Sequence, residues 1–212
     1  MTLELGTIEI KWGLWLKWVV GHALGGFVGL VLGFIGTVAG LAIGRGETTV
    51  GGVLALVLGG SGFGLGIGAI QWIVLRREVY WRGGWVSASI GGGGVGIVAG
   101  MIGGGSGILG SVLALGPNAD PAASAPTLAP MIYVVVVASY GAGIGIIQWL
   151  VLRREIDEAG WWILANILGS AIGTTVGIAS AAGINAIVGF LAGFVTFGII
   201  TGVALVWLLR EE

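Results

Sequence analysis

His22 is the only histidine in this 212-residue chain, and it stands four residues after Trp18. The same spacing recurs as Trp85 with Ser89 and as Trp162 with Asn166, while Gln71 and Gln148 lie at similar depth on the intervening segments. Chemistry open to such a set is neutral chemistry. The groups could hydrogen-bond to one another, to carbonyls or to interfacial water, or they could grip the polar end of a lipophilic molecule. A neutral imidazole could also ligate a metal or the magnesium of a chlorophyll-type pigment. Amide and hydroxyl oxygens are weak partners for a zinc or di-iron site, whereas pigment ligation by His22 needs only one nitrogen. The candidate ligand-binding residues are therefore His22, Ser89, Asn166, Gln71 and Gln148, with Trp18, Trp85 and Trp162 beside them.

Catalysis finds little support. There is no Ser-His-Asp arrangement, no HExxH and no phosphate-binding loop followed by lysine; the Gly91 to Gly94 run has no strand before it and reads as packing. The apolar segments contain Ser, Thr and Tyr140, but no base accompanies them apart from His22. The expectation is a protein that is not an enzyme.

The elements that would position these residues follow from composition. Apolar residues make up 56% of the chain and charged residues 9%, with a mean hydropathy of +1.05. A soluble domain carries about a quarter charged residues, so most of this chain must face lipid. A net charge of −1 provides no basic surface for nucleic acid. The absence of cysteine removes disulfides and thiolate chemistry. A membrane span needs about 20 apolar helical residues. Charge-free intervals of sufficient length run from Trp18 to Gly44, Thr48 to Leu75, Gly83 to Ala119 and Pro121 to Leu152. A fifth, Ala159 to Leu209, has 51 residues and fits two helices joined by a turn near Ala181 to Asn185. The fold expected is an all-α integral membrane protein of six transmembrane helices in one membrane domain, because open sheets cannot sit in lipid.

Six spans put both termini on one side. Lys11, Lys17, Arg76, Arg77, Arg82, Arg153, Arg154 and Arg210 fall there, and only Arg45 falls opposite. That side is expected to be cytoplasmic, in a bacterial inner membrane, with no cleaved signal peptide. Pro117, Pro121, Pro126 and Pro130, with Asn118 and Asp120, read as one sizeable external loop between spans three and four.

The segment Gln71-Trp72-Ile73-Val74-Leu75-Arg76-Arg77-Glu78 returns 77 residues later as Gln148-Trp149-Leu150-Val151-Leu152-Arg153-Arg154-Glu155. The same shift carries Trp85, Ser89, Gly92, Gly96 and Gly100 onto Trp162, Asn166, Gly169, Gly173 and Gly177, and a shift of 67 carries them back onto Trp18, His22, Gly25, Gly29 and Gly33. On the even spans Gly64, Gly68 and Gln71 correspond to Gly141, Gly145 and Gln148. In the third copy Gly198 and Gly202 keep the spacing, but Leu205 replaces the glutamine. The repeats predict three tandem hairpins, 12–77, 81–154 and 158–212, around a pseudo-threefold axis along the membrane normal. The Gln-Trp-Leu-Val-Leu-Arg-Arg-Glu and Gly-Trp-Trp-Ile-Leu-Ala strings resemble a motif of polytopic membrane proteins found in photosynthetic bacteria and their relatives, a family with no established activity. The resemblance implies the repeated-hairpin architecture.

Glycine supplies 45 residues. Spaced by four, Gly25-Gly29-Gly33, Gly92-Gly96-Gly100, Gly169-Gly173-Gly177 and Gly60-Gly64-Gly68 form flat faces that let helices approach, or that line a cavity or narrow pore. All ten tryptophans (12, 15, 18, 72, 81, 85, 149, 161, 162 and 207) fall at one end of the spans, either through copying of the template or as an aromatic ring that binds headgroups, quinone or pigment. No charged residue lies within an apolar interval, which weighs against ion-coupled transport and a retinal Schiff base. The function expected is a membrane scaffold or accessory subunit, whose partners are the bilayer, other membrane subunits or a bound lipid, quinone or pigment. The alternative is a passive channel for a small neutral solute along the axis.

Overall fold

The computed structural model describes residues 11–44, 48–78, 84–115 and 121–210. Six helices occupy them: α1 (Trp12–Ile43), α2 (Thr48–Leu75), α3 (Trp85–Leu115), α4 (Pro121–Leu152), α5 (Trp161–Gly183) and α6 (Ala186–Leu208). No strand occurs among the described residues. The shortest helices have 23 residues, which at 1.5 Å rise exceeds the roughly 30 Å of hydrocarbon. All six are long and apolar enough to cross a membrane. Lipid leaves an unpaired backbone group no partner, so the helix persists despite its glycines. Large apolar side chains on the outside, such as Phe27 at 64% exposure, suit contact with acyl chains.

The turn between α5 and α6 is tighter than the sequence indicates. Helix α5 runs to Gly183, and Asn185 already caps α6, its Oδ1 accepting from the Val188 N–H at 3.0 Å. The external proline loop is corrected more substantially. Three of its four prolines, Pro121, Pro126 and Pro130, lie within α4. Pro121 is the first helical residue, where an N–H has no partner anyway, and Ala122, Ala123, Ala125 and Ala129 are strong helix formers. At most five residues, 116–120, remain to join α3 to α4; they include Pro117, Asn118 and Asp120 and lie outside the described residues, as do Arg45, Trp81 and Arg82.

Each helix packs on its successor in sequence, and α6 packs back on α1 to close a ring. Two sets of glycines make these contacts. The stripes on the odd helices face the even helix that follows. A Cβ on Gly25 would meet Ile67 Cα at 3.2 Å, one on Gly96 the Tyr140 carbonyl at 2.7 Å, and one on Gly173 the Gly193 carbonyl at 2.7 Å. The stripes on the even helices instead face the next odd helix: Gly64 abuts Ser89, Gly141 abuts Asn166, and Gly198 abuts His22. The four-glycine run of α3 serves both neighbours, Gly92 against Ile144 and Gly93 against Gly60.

These contacts are distributed unevenly along the bundle. Glycine contacts within the pairs α1/α2, α3/α4 and α5/α6 reach the end remote from the tryptophans, through Gly40 on Ala55, Gly104 on Val136 and Gly177 on Gly189. Among the described residues, glycine contacts between pairs stop earlier, at Gly60 on Gly93 and Ile97, Gly94 on Val57, Gly141 on Ser170 and Gly26 on Phe194. Among the described residues the core of buried apolar side chains lies at the tryptophan end, where Leu14, Trp18, Leu75, Trp85, Leu152, Trp162 and Leu205 come from all six helices.

Candidate functional site

Three indoles organise the tryptophan end. Trp18, Trp85 and Trp162 are 0%, 1% and 0% exposed, and Trp162 lies edge-on to both others at 5.8 Å between ring centroids. An indole N–H can only donate, so each ring needs an acceptor when buried. Trp85 donates to Gln71 Oε1 at 3.1 Å and Trp162 to Gln148 Oε1 at 2.9 Å, both 14 residues apart in sequence. Trp18 donates to Thr201 Oγ1 at 3.0 Å. Each bond runs from an odd helix to the even helix before it around the ring.

Those donors orient the remaining groups. With Oε1 held by an indole, Gln148 presents Nε2, which donates to Gln71 Oε1 at 3.2 Å and to Ser89 Oγ at 3.0 Å. Gln71 likewise presents Nε2 to His22 Nε2 at 3.0 Å. An amide nitrogen cannot accept, so His22 Nε2 is the acceptor, and the ring proton sits on Nδ1, which donates to the Trp18 carbonyl at 3.0 Å. Ser89 and Thr201 donate back to the Trp85 and Phe197 carbonyls, and Asn166 Nδ2 donates to the Trp162 carbonyl at 2.8 Å. In lipid each such group lacks water as an alternative, which favours completing the network.

Above this layer rings from α2, α4 and α6 still meet, Phe63 lying 6.1 Å from Tyr140 and 5.9 Å from Phe194 between centroids, and open space adjoins them. A cavity of about 1160 Å³ runs from Gln71 and Asn166 to Ala181 and Ala186, about 22 Å of helix rise. Its walls are mostly apolar, with Phe63, Phe194 and Ile144 among them, and none of the described residues lining it is charged. Gly33, Gly96, Gly100, Gly169, Gly173 and Gly177 line it while also packing helices together.

The eight candidate ligand-binding residues thus divide. Gln71 and Asn166 line the cavity; His22, Ser89, Gln148, Trp18, Trp85 and Trp162 form the buried layer beneath it. Both ring nitrogens of His22 are engaged, so axial ligation of a pigment would require Gln71 to withdraw. The three core tryptophans are internal and do not belong to a lipid-facing belt; Trp12, Trp161 and Trp207 remain exposed at that end. No cluster of metal-ligating side chains occurs among the described residues.

Thr201 is the member that sequence comparison passes over. The repeat pairs Leu205 with the two glutamines, and Leu205 is buried in the apolar core. Thr201, one turn earlier, offers the acceptor instead. A hydroxyl four residues before the glutamine position is the available signal. Comparison of the chain with family models, curated proteins and solved structures finds no match.

Proposed function

We propose that this chain is a non-enzymatic membrane scaffold or accessory subunit that holds a lipophilic molecule within its helical ring. One observation carries the reading: an uncharged, mainly apolar chamber of about 1160 Å³, closed at one end by buried tryptophans and open between hairpins at the other. Binding chambers for apolar molecules have this composition, with a few polar groups at fixed positions. The channel reading requires a continuous axial path, and the core drawn from all six helices obstructs it.

The architecture proposed with it is three tandem hairpins, 12–77, 81–154 and 158–212, about a pseudo-threefold axis. Support comes from the three indole bonds between successive hairpins and from the matched contacts of Gly64, Gly141 and Gly198 with Ser89, Asn166 and His22. The basic residues beside the tryptophan end favour a cytoplasmic location for it in a bacterial inner membrane. A cysteine introduced at Ile184, in the α5/α6 turn, is then labelled only from outside the cell; labelling from the cytoplasm would reverse the orientation.

The chamber reading is tested by mild purification from source membranes, followed by an absorption spectrum and mass spectrometry of extracted small molecules. A stoichiometric lipid, quinone or pigment supports it. A protein that stays empty and binds no added lipophile rejects it.

A further inference from the structure

Most polar groups of the tryptophan layer are paired, and the unpaired remainder falls at the chamber floor. Gln71, 5% exposed, directs one amide N–H to His22, while its Oε1 accepts from Trp85 and Gln148. An amide nitrogen carries two hydrogens, so one N–H of Gln71 is left over. Asn166, 2% exposed, donates from Nδ2 to the Trp162 carbonyl. Its Oδ1 has no hydrogen-bond partner among the described residues. Both side chains line the chamber. Among the described residues, Trp15 Nε1 is the fully enclosed side-chain atom without a partner; it lies under Gly202, away from the chamber, so the floor groups are the ones a ligand can reach.

We infer that the chamber's occupant is a neutral lipid with a hydroxyl at its polar end, inserted with the hydroxyl on Gln71 and Asn166 and its chain along the glycine-lined walls. This inference rests on the chamber reading above. A hydroxyl both accepts and donates, so it can accept from the spare Gln71 N–H and donate its O–H to Asn166 Oδ1. A quinone, ketone or ester only accepts and leaves Asn166 Oδ1 unpaired. A phosphate or ammonium headgroup would enter a chamber with no described charged residue to compensate its desolvation. The hydroxyl of Ser170, which also lines the chamber one turn above Asn166, continues the same neutral character. The floor lies one turn from the end of α2 at Leu75, so the hydroxyl sits near one membrane interface and the chain points toward the opposite one.

The test uses the full chain, stripped of lipid in detergent, with tritiated oleyl alcohol as probe and oleyl methyl ether and decylubiquinone as competitors. Saturable binding of the alcohol is expected, at least about fivefold tighter than the ether, the effect of one added hydrogen bond. Asn166→Leu should bring the alcohol down to the affinity of the ether and leave the ether unchanged, which also shows that the chamber is intact in the variant. If that variant fails to fold, the alcohol and ether affinities of the unmodified chain decide alone. Equal affinities for alcohol and ether, or tighter binding of the quinone, overturn the hydroxyl inference while the chamber reading stands. Absence of saturable binding by all three probes overturns both.

Discussion

The two ends of the bundle use the same residue type for opposite purposes. At the tryptophan end, even-helix glycines let the backbone of one helix pair reach the next, and the bulk of three indoles fills the space so created. Toward the far end glycines still seal each helix pair internally, but among the described residues glycine contacts between pairs stop earlier, and the large side chains that meet there, Phe63 with Tyr140 and Phe194, leave a cavity beside them. A glycine stripe therefore fixes how closely two helices approach, and the side chains projecting toward the axis decide whether the result is a core or a chamber. Stability should concentrate at one end and binding at the other.

The largest effect that separates the ends is expected from Trp162→Ala. It removes the ring that touches both other indoles and strands Gln148 Oε1, so a loss of about 3–5 kcal/mol is expected in denaturant unfolding in detergent. A loss below about 1 kcal/mol would mean that the tryptophan layer does not hold the ring together.

A paired substitution sharpens the contrast. Gly64 abuts the Ser89 backbone, whereas a Cβ on Gly105, in the chamber wall, would meet nothing within 4 Å. Gly64→Leu should cost about 1–3 kcal/mol or more through overpacking, and Gly105→Leu should stay within about 0.5 kcal/mol of the parent in thermal unfolding. Equal losses at the two sites would erase the distinction between packing and lining glycines.

That distinction is what the sequence conceals. Gly100 packs on Val136 and faces the chamber, Gly105 faces the chamber alone, and Gly64 is wholly a contact residue, yet all three stand in similar glycine-rich runs. Where contacts between neighbouring helix pairs end depends on the sum of contacts along each pair, which no local spacing encodes. The six spans were legible because charged residues interrupt long apolar intervals, a property that lipid enforces directly. The prolines misled because a breaker in water is tolerated in a first turn and among alanines. The meeting of His22, Gln71, Ser89 and Gln148 was legible because recurrent spacing put them at one depth. The burial of Trp18, Trp85 and Trp162 was not, since tryptophan at the end of a span ordinarily marks the interface.

The smallest effect bears on the α5/α6 pair of the proposed threefold arrangement, whose network departs from the other two. Where α2 and α4 carry Ile67 with Gln71 and Ile144 with Gln148, α6 carries Thr201 with Leu205, and the acceptor for Trp18 has moved one turn. Thr201→Ile should strand the Trp18 N–H and cost about 0.6–2 kcal/mol, the range of hydrogen bonds between helices in lipid. Adding Leu205→Gln makes the third pair match the others. If the proposed threefold relation holds, the new amide stands where Gln71 and Gln148 stand and accepts from Trp18, so the double variant should recover most of that loss in unfolding measurements. Leu205 is fully buried, and an amide that found no donor there would cost a further 1–3 kcal/mol or so. Recovery and further loss are thus opposite in sign. A double variant less stable than Thr201→Ile alone would mean that α6 approaches α1 in a register of its own and that the third hairpin is not equivalent to the first two.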